Sequence, residues 1–187
     1  MSLTSVRSQE NVVTRHFGES LFLAACLREA DASRVVNTVD LGSGAGFPGL
    51  PLKIYYPAWP LTLVESNRKK AFFLKEVIRA LHLGGIEVFA GRAEELTTRV
   101  PLDHRLDLVT MRAVERFESA VGIGAQLLRI QPGEARRRLA LLIGMEQAGR
   151  VRELLRDFRW QSPVLIPESE RKVVLIGKYP GGQDSEK

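Results

Sequence analysis

The sequence predicts an α/β fold in which a mostly parallel sheet carries helices on both faces. Three observations support this prediction: strand-like and helix-like segments alternate, a glycine loop follows the first strand, and two late strand segments are joined by a turn. Such alternation is typical of parallel sheets. The predicted strands are residues 35–41, 61–65, 87–90, 106–111, 139–143 and 172–178, with a late edge strand at 159–160. The predicted helices are residues 50–56, 68–83, 93–99, 116–130 and 147–158.

The chain divides into three parts by composition. Residues 11–30 carry apolar side chains at helical spacing, so residues 1–34 are predicted to form an N-terminal helical arm. Residues 35–179 are predicted to form one Rossmann-like domain, because 187 residues can bury a core without disulfides or a metal. The polar tail, residues 180–187, is expected to be disordered.

Charge and cysteine content narrow the class of protein. The net charge of +5 favours a polyanionic partner, although charge informs association rather than fold. The single cysteine, Cys26, lies in an apolar run and offers no disulfide framework, which is typical of a reducing cytoplasm. The apolar runs are too short to span a bilayer. We therefore expect a cytoplasmic, monomeric protein with no membrane contact and no metal site.

The glycine loop indicates a nucleotide-type cofactor site. Residues 35–39 are β-branched-rich and lead into a loop with glycine at alternate positions, where backbone N–H groups approach a ligand closely. Gly44, Gly46 and Gly49 satisfy G-x-G-x-x-G, and Glu65 lies 65 − 44 = 21 residues beyond Gly44. This spacing also fits a dinucleotide site. The loop alone does not select the cofactor.

Asp40 favours one cofactor over the other. It precedes the first glycine at the mouth of the first strand, where a carboxylate would repel the pyrophosphate of a dinucleotide. S-Adenosylmethionine brings a positive ammonium and a positive sulfonium instead, so Asp40 is predicted to face that cofactor. The alternative is that Asp40 holds N–H groups of the loop as a turn-forming residue.

Acidic residues follow the next two strands as well. Glu65 ends the second strand and can accept hydrogen bonds from both ribose hydroxyls, or it can pair with a nearby surface cation. Beyond the third strand, residues 91–95 offer a backbone N–H and an acidic side chain, Glu94 or Glu95, that can read an adenine edge. The alternative for Glu94 and Glu95 is that both are acidic residues complementing a helix dipole.

These motifs together resemble the ribosomal RNA small subunit methyltransferase G family, also called glucose-inhibited division protein B. The resemblance is specific because the G-F-P-G loop is followed by V-E-S-N-x-K-K. It covers roughly residues 11–178 and rests on residues 14–20, 39–52, 63–70, 91–95, 110–114 and 170–174. It implies an S-adenosylmethionine-dependent enzyme that methylates N7 of a guanine in bacterial 16S ribosomal RNA, with ribosomal RNA or the small subunit as partner. The implied fold has seven strands, the last antiparallel.

The resemblance also implies residue roles. The expected cofactor-binding set is Asp40, Gly42, Gly44, Phe47, Glu65, Ala93, Glu94 and Arg112, and the expected substrate-binding residues are Arg15 and His16. Arg112 is expected to pair with Glu94, Asp40 or an RNA phosphate, and the alternative is a purely structural salt bridge. Departures from the family pattern are Glu19 in place of aspartate and Ile143 in place of the lysine of Leu-Lys-Gly. The chain is further expected to be an N-terminally shortened member.

No catalytic acid or base is expected, because guanine N7 carries a lone pair and no proton. Catalysis then reduces to placing the nucleophile in line with the methyl group. Three alternatives stay open at this point: a small-molecule methyltransferase, a catalytically impaired RNA-binding homologue, and an NAD-dependent oxidoreductase. The run Arg136–Arg138 is interpreted as a solvated turn before the fifth strand, or as an RNA-phosphate contact.

Overall fold

A computed structural model describes residues 13–31, 34–99, 106–113, 116–129 and 137–180. Within these residues one sheet contains eight strands. The strands are β1 (Thr38–Leu41), β2 (Leu61–Val64), β3 (Ile86–Phe89), β4 (Leu108–Arg112), β5 (Arg137–Gly144), β6 (Arg159–Trp160), β7 (Val164–Leu165) and β8 (Lys172–Tyr179). The helices are α1 (Glu19–Asp31), α2 (Gly49–Tyr55), α3 (Arg68–Ala80), α4 (Ala93–Arg99), α5 (Phe117–Arg129) and α6 (Met145–Leu154).

The strand order confirms the predicted fold class. The sheet runs β3-β2-β1-β4-β5-β8-β6, with β7 also paired to β8. Strands β1 to β5 are mutually parallel and β8 is antiparallel to β5. The expected count of seven is corrected to eight in the described part of the chain, because β7 is an additional two-residue strand on β8, whereas β6 is the expected strand at 159–160. Strands this short leave no periodic pattern in a sequence.

Helices cover both faces of the sheet, as β5 shows most clearly. Leu139, Leu141 and Ile143 belong to the core cluster that α5 and α6 complete. Ala140 and Leu142 point to the opposite face, into the cluster that α1 completes. Alternate side chains of one strand are therefore buried on both faces, which is typical of parallel sheets with helical cover.

The described part of the N-terminal arm, residues 13–31, is helical, and the type of helix changes along it. Val13–Gly18 forms a π-helical turn, and α1 begins only at Glu19. The hydroxyl of Ser20 donates to the carbonyl of His16 at 2.6 Å, which holds the turn against the first residues of α1. Residues 1–12, most of the remaining arm, lie outside the described part, as do residues 181–187 of the expected tail. The three-part division of the chain therefore stays a prediction.

The start of α3 is as the sequence predicts. The side-chain oxygen of Asn67 accepts hydrogen bonds from the backbone nitrogens of Lys69 (3.0 Å) and Lys70 (3.2 Å), which satisfies two otherwise orphaned donors. By contrast, the interpretation of residues 136–138 as a solvated turn is wrong for Arg137 and Arg138. Both belong to β5 and are buried, so the strand begins two residues earlier than expected.

Candidate functional site: a charged pocket at the carboxyl edge of the sheet

An open cavity of about 770 Å³ lies where β1, β2 and β4 end, and this size suits a nucleoside-sized ligand. It lies at the carboxyl edge, where parallel sheets of this type bind their ligands. Its walls include most of the expected site residues. These are Arg15, His16, Gly42, Gly44, Phe47, Glu65, Ala93, Glu94 and Arg112.

The loop after β1 forms the floor of this cavity. The backbone nitrogens of Gly42 and Ser43 both donate to the carbonyl of Val64, at 2.9 and 3.0 Å, so the loop is fixed to the end of β2. Gly44 has φ +57, a left-handed conformation that glycine adopts without strain. A Cβ at Gly44 would meet only the carbonyl of Gly42, at 3.8 Å. The loop therefore presents bare backbone to the cavity at this position.

Glu65 fixes the same loop from the side. One carboxylate oxygen accepts from the backbone nitrogen of Gly44 at 2.9 Å, and the other accepts from that of Asn67 at 2.7 Å. Each oxygen has a second lone pair, so the carboxylate can also accept a ligand hydroxyl. Glu65 lines the cavity although its residue surface is only 7% exposed. The position of the Glu65 carboxylate is therefore compatible with its predicted contact with a ribose, which stays a prediction.

Asp40 does not line the cavity, and the expectation that it faces the cofactor directly is corrected. Its carboxylate is 1% exposed and lies beneath the loop, where Oδ1 accepts the hydroxyl of Thr110 at 2.7 Å. A Cβ on Gly49 would approach Oδ2 to 2.9 Å, so the start of α2 covers the carboxylate. Burial raises the pKa of Asp40 from 3.8 to about 6, against the opposing effect of the Thr110 hydrogen bond. Asp40 therefore lies behind the loop and bonds to the neighbouring strand β4 through Thr110.

Ala93 and Glu94 begin α4, beyond the end of β3, and both line the cavity. Glu94 is exposed and its backbone carbonyl accepts the hydroxyl of Thr97 at 2.7 Å. The carboxylate of Glu94 is therefore at the cavity wall on the β3 side. Its expected contact with an adenine edge stays a prediction.

Arg112 pairs with Glu19, not with Glu94 or Asp40. Its Nε donates to Oε2 of Glu19 at 3.0 Å, and its Nη2 lies 2.9 Å from the same oxygen and donates to the carbonyl of Arg15 at 2.9 Å. The other oxygen of Glu19 accepts from Nζ of Lys172 at 2.6 Å. Sequence reasoning assigned no role to Glu19 or Lys172. Both residues lie in segments that carry the family resemblance, and this was the feature of the sequence that could have indicated a role for them.

His16 and Phe47 form an aromatic pair at the cavity wall. Their ring centroids are 5.0 Å apart with an interplanar angle of 30°, and Phe17 meets Phe47 edge-on at 5.0 Å. Burial, followed by the charge of Arg112, lowers the pKa of His16 below 6.5. His16 is therefore mainly neutral at pH 7.

Side chains of both signs line the cavity, and Lys70, Arg92 and Arg116 are among its basic residues. Glu65 and Glu94 follow β2 and β3, whereas Arg112 and Lys172 stand at β4 and β8. We call Arg15, Arg112 and Lys172 the basic wall. Among the described residues no three His, Cys, Asp or Glu side chains come together as they would around a metal ion. In that same part of the chain, no helix is both long and apolar enough to cross a membrane.

Solved structures with the same architecture define the class of fold. A SAM-dependent methyltransferase from Aquifex aeolicus superposes with a TM-score of 0.66 at 16% identity, covering 92% of this chain and 94% of that chain. Magnesium protoporphyrin IX methyltransferase from Synechocystis PCC 6803, crystallised with bound SAM, gives a TM-score of 0.65 at 17% identity, covering 92% and 86%. The fold is thus that of S-adenosylmethionine-dependent methyltransferases.

Sequence comparison narrows the class to one family. A family model described as GidB, rRNA small subunit methyltransferase G, matches residues 1–134. A ribosomal RNA small subunit methyltransferase G from Chloroflexus aggregans is 42% identical over 69% of this chain, and one from an Exiguobacterium strain is 34% identical over 96%. The chain belongs to the rRNA small subunit methyltransferase G family, and the resemblance seen in the sequence is confirmed.

The matches do not extend over the full length of these relatives. The chain spans about half the length of the Chloroflexus aggregans protein (52%) and of a curated relative of the same name from Roseiflexus castenholzii (54%). It spans 79% of the Exiguobacterium protein.

Proposed function

We propose that this chain transfers the methyl group of S-adenosylmethionine to N7 of a guanine in bacterial 16S ribosomal RNA. The observation that carries the proposal is a cavity lined by acidic and basic side chains around a glycine loop, in a chain of the rRNA small subunit methyltransferase G family. The names of the relatives supply the substrate class.

The residues present fit the cofactor. The bare backbone at Gly44 allows a close approach, and the carboxylate of Glu65 keeps acceptor capacity for ribose hydroxyls. We assign the adenine edge to Glu94 and the backbone of Ala93, which line the cavity, and Gly42, Phe47 and Arg112 complete the proposed cofactor-binding set. When bound, S-adenosylmethionine supplies an electrophilic methyl group on a positively charged sulfur.

The protein's part in the reaction is positioning. Guanine N7 needs no deprotonation, so the chain must hold the base and the methyl group in line at near-contact distance, a contribution of roughly 7–11 kcal/mol in well-oriented systems. The loop and Glu65 fix one reactant, and the π-helical turn that carries Arg15 and His16 faces the same cavity. We assign Arg15 and His16 to substrate binding and no residue to acid or base catalysis.

The RNA substrate enters as an unpaired base. In an A-form helix the major-groove edge of guanine lies in a deep and narrow groove, so a loop or a splayed nucleotide is the accessible form. The net charge of +5 favours association with such a polyanion. We further propose that the protein acts as a cytoplasmic monomer.

Binding and methyl-transfer assays test this function. Calorimetric titration with S-adenosylhomocysteine and with NAD separates the two cofactor classes, and we expect binding of the first only. Incubation with labelled S-adenosylmethionine and 16S RNA, bare or in small subunits, should label one guanine at N7. Cofactor binding with no transfer to either RNA form would indicate an impaired homologue, and transfer to small molecules alone would reject the RNA substrate.

A pH profile tests the absence of an acid or base. We expect the single-turnover methyl-transfer rate to stay flat between pH 6 and 8 where RNA binding is constant, since N7 carries no proton to remove. A steep loss of rate on titration of one group, with RNA binding intact, would contradict this mechanism.

A further inference from the structure

Two residues of the basic wall, Arg112 and Lys172, form a charged cluster with Glu19, in which Glu19 and Lys172 have no role in the proposed function so far. Glu19 begins α1, Arg112 ends β4 and Lys172 begins β8. Each carboxylate oxygen of Glu19 serves one of the two cations, at 2.9 Å to Arg112 and 2.6 Å to Lys172. Because this cluster has one carboxylate and two cations, its net charge is positive.

The two cations differ in exposure and in the hydrogen-bond donors that they have left for a ligand. Arg112 is 12% exposed on its side chain, and its Nε and Nη2 are engaged by Glu19 and by the carbonyl of Arg15. Lys172 is 46% exposed and lines the cavity, and its ammonium group carries three donors, of which Glu19 takes one. Glu19 thus anchors an ammonium group that has two further donors and belongs to a residue lining the cavity.

The other acidic side chains near the cavity do not neutralise the charge of Lys172. Glu65 and Glu94 line the cavity on its β2 and β3 side, away from β8 in the strand order. The carboxylate of Glu146 packs against Gly144 and lines a neighbouring hollow. Within the described part of the chain, the ion pair recorded for Lys172 is the one with Glu19.

The register of the last strand explains how a lysine reaches the site. Lys172 lies opposite Gly144, and Val173 lies opposite Ile143. Because β8 is antiparallel, its first residue arrives at the edge where β4 and β5 end. Ile143 stands where the family pattern has lysine, so the neighbouring strand delivers a cation to the same end of β5.

We infer that Lys172 and Arg112, held in place by Glu19, form a subsite for an oxyanion of the ligands. This inference rests on the proposed function, which offers two sources of such a group: the carboxylate at the amino-acid end of the cofactor, and a phosphodiester of the RNA. Both present paired anionic oxygens, which an ammonium group and a guanidinium group bind by charge-assisted hydrogen bonds.

Substitutions at Lys172 test the subsite. Lys172→Met removes the charge and keeps the aliphatic chain, Lys172→Arg keeps the charge, and Lys178→Met is the matched control, an exposed lysine on the same strand that does not line the cavity. The probes are S-adenosylhomocysteine, 5′-methylthioadenosine, which lacks the amino acid end, and a 16S RNA fragment. Titration measures each Kd, and urea unfolding verifies that each variant is folded.

Two results would support the subsite and identify the source of the oxyanion. If the cofactor supplies it, Lys172→Met weakens S-adenosylhomocysteine about tenfold and leaves 5′-methylthioadenosine unchanged. If RNA supplies it, Lys172→Met weakens RNA binding about tenfold and lowers the slope of log K against log[salt] by about one, with S-adenosylhomocysteine unchanged. In either case Lys172→Arg restores binding and Lys178→Met has no effect.

Other results would overturn it. The subsite is rejected if Lys172→Met changes no Kd, if Lys172→Arg is as weak as Lys172→Met, or if Lys178→Met has the same effect. A wild-type protein that binds neither S-adenosylhomocysteine nor RNA rejects the proposed function itself, and the subsite with it. The wild-type measurements therefore separate the two failures.

Discussion

The carboxylate of Glu65 accepts a hydrogen bond from the backbone nitrogen of Gly44 at 2.9 Å, so the residue after β2 holds the loop that follows β1. The same carboxylate reaches the backbone nitrogen of Asn67, which caps α3. One side chain therefore fixes the loop, its neighbouring helix and the proposed ribose position together. Changes at Glu65 should affect both cofactor binding and the order of the loop.

Glu65→Gln tests this dual role. The amide places an NH₂ donor against one of two backbone N–H donors, so one hydrogen bond is lost and a donor is left unsatisfied, at a cost of about 1–3 kcal/mol. We expect a fall of that size in the free energy of unfolding and at least a tenfold weaker Kd for S-adenosylhomocysteine. Glu87→Gln, an exposed acid on β3, is the control. Unchanged calorimetric affinity in Glu65→Gln would rule out the assigned role.

The tight packing at Gly49 predicts a steric effect of one methyl group. A Cβ there would lie 2.4 Å from Leu63 Cδ2 and 2.9 Å from Asp40 Oδ2. We expect Gly49→Ala to lower the free energy of unfolding by about 1–3 kcal/mol, because a packed core resists added volume. At Gly84 a Cβ would meet nothing within 4 Å, so Gly84→Ala should stay within about 0.5 kcal/mol of wild type. Equal unfolding curves for the two variants would contradict this.

The buried carboxylate of Glu19 predicts a large stability effect. Glu19→Ala leaves the guanidinium of Arg112, 12% exposed, without its acidic partner, and breaking such a buried pair costs about 3–5 kcal/mol. Glu118 pairs with Arg150 at 2.7 Å, but both side chains are 53% exposed. Glu118→Ala should therefore leave the urea midpoint unchanged. The interpretation fails if the two variants unfold at the same urea concentration.

The burial of Asp40 predicts a pH dependence of stability. Its pKa is raised from 3.8 to about 6 in the folded state, so unfolding releases a proton between these values. The stabilisation is present below pH 3.8 and is lost as the pH rises towards 6, a difference of about two pKa units or roughly 3 kcal/mol. Asp40→Asn cannot ionise at this position.

Urea unfolding of both proteins from pH 4 to pH 7 measures this effect. We expect the free energy of unfolding of Asp40→Asn, relative to wild type, to increase by roughly 3 kcal/mol between pH 4 and pH 7. A difference that is constant with pH would show that Asp40 titrates at an ordinary value in the folded protein.

The sequence predicted the elements of the fold because alternating apolar patterns report burial on both faces of a sheet. It also predicted the position of the glycine loop and of Glu65, since both depend on short spacings after a strand. The burial of Asp40 was not predicted, because a carboxylate just before the loop was interpreted as a charge exposed at the end of the first strand. Its register opposite Thr110, on the inner side of the loop, becomes evident only when β1 and β4 are paired.

The cluster around Glu19 was out of reach for a different reason. Glu19 and Lys172 are 153 residues apart, and the charge they share depends on β8 running antiparallel to β5. Local propensity, periodicity and spacing carry no information on such a contact. The same holds for Arg137 and Arg138, whose run of charge indicates solvent although both lie in a buried strand.

The contact between Glu19 and Lys172 also has a consequence for biosynthesis. The glycine loop and its acidic neighbours are complete once residue 94 has been made, whereas the ammonium group that faces them arrives only with residue 172. A nascent chain, or a chain nicked by a protease between β5 and β8 that has lost β8, keeps the residues of the loop and has no lysine at the opposite wall. The charged groups of this pocket are therefore assembled only once β8 has been synthesised.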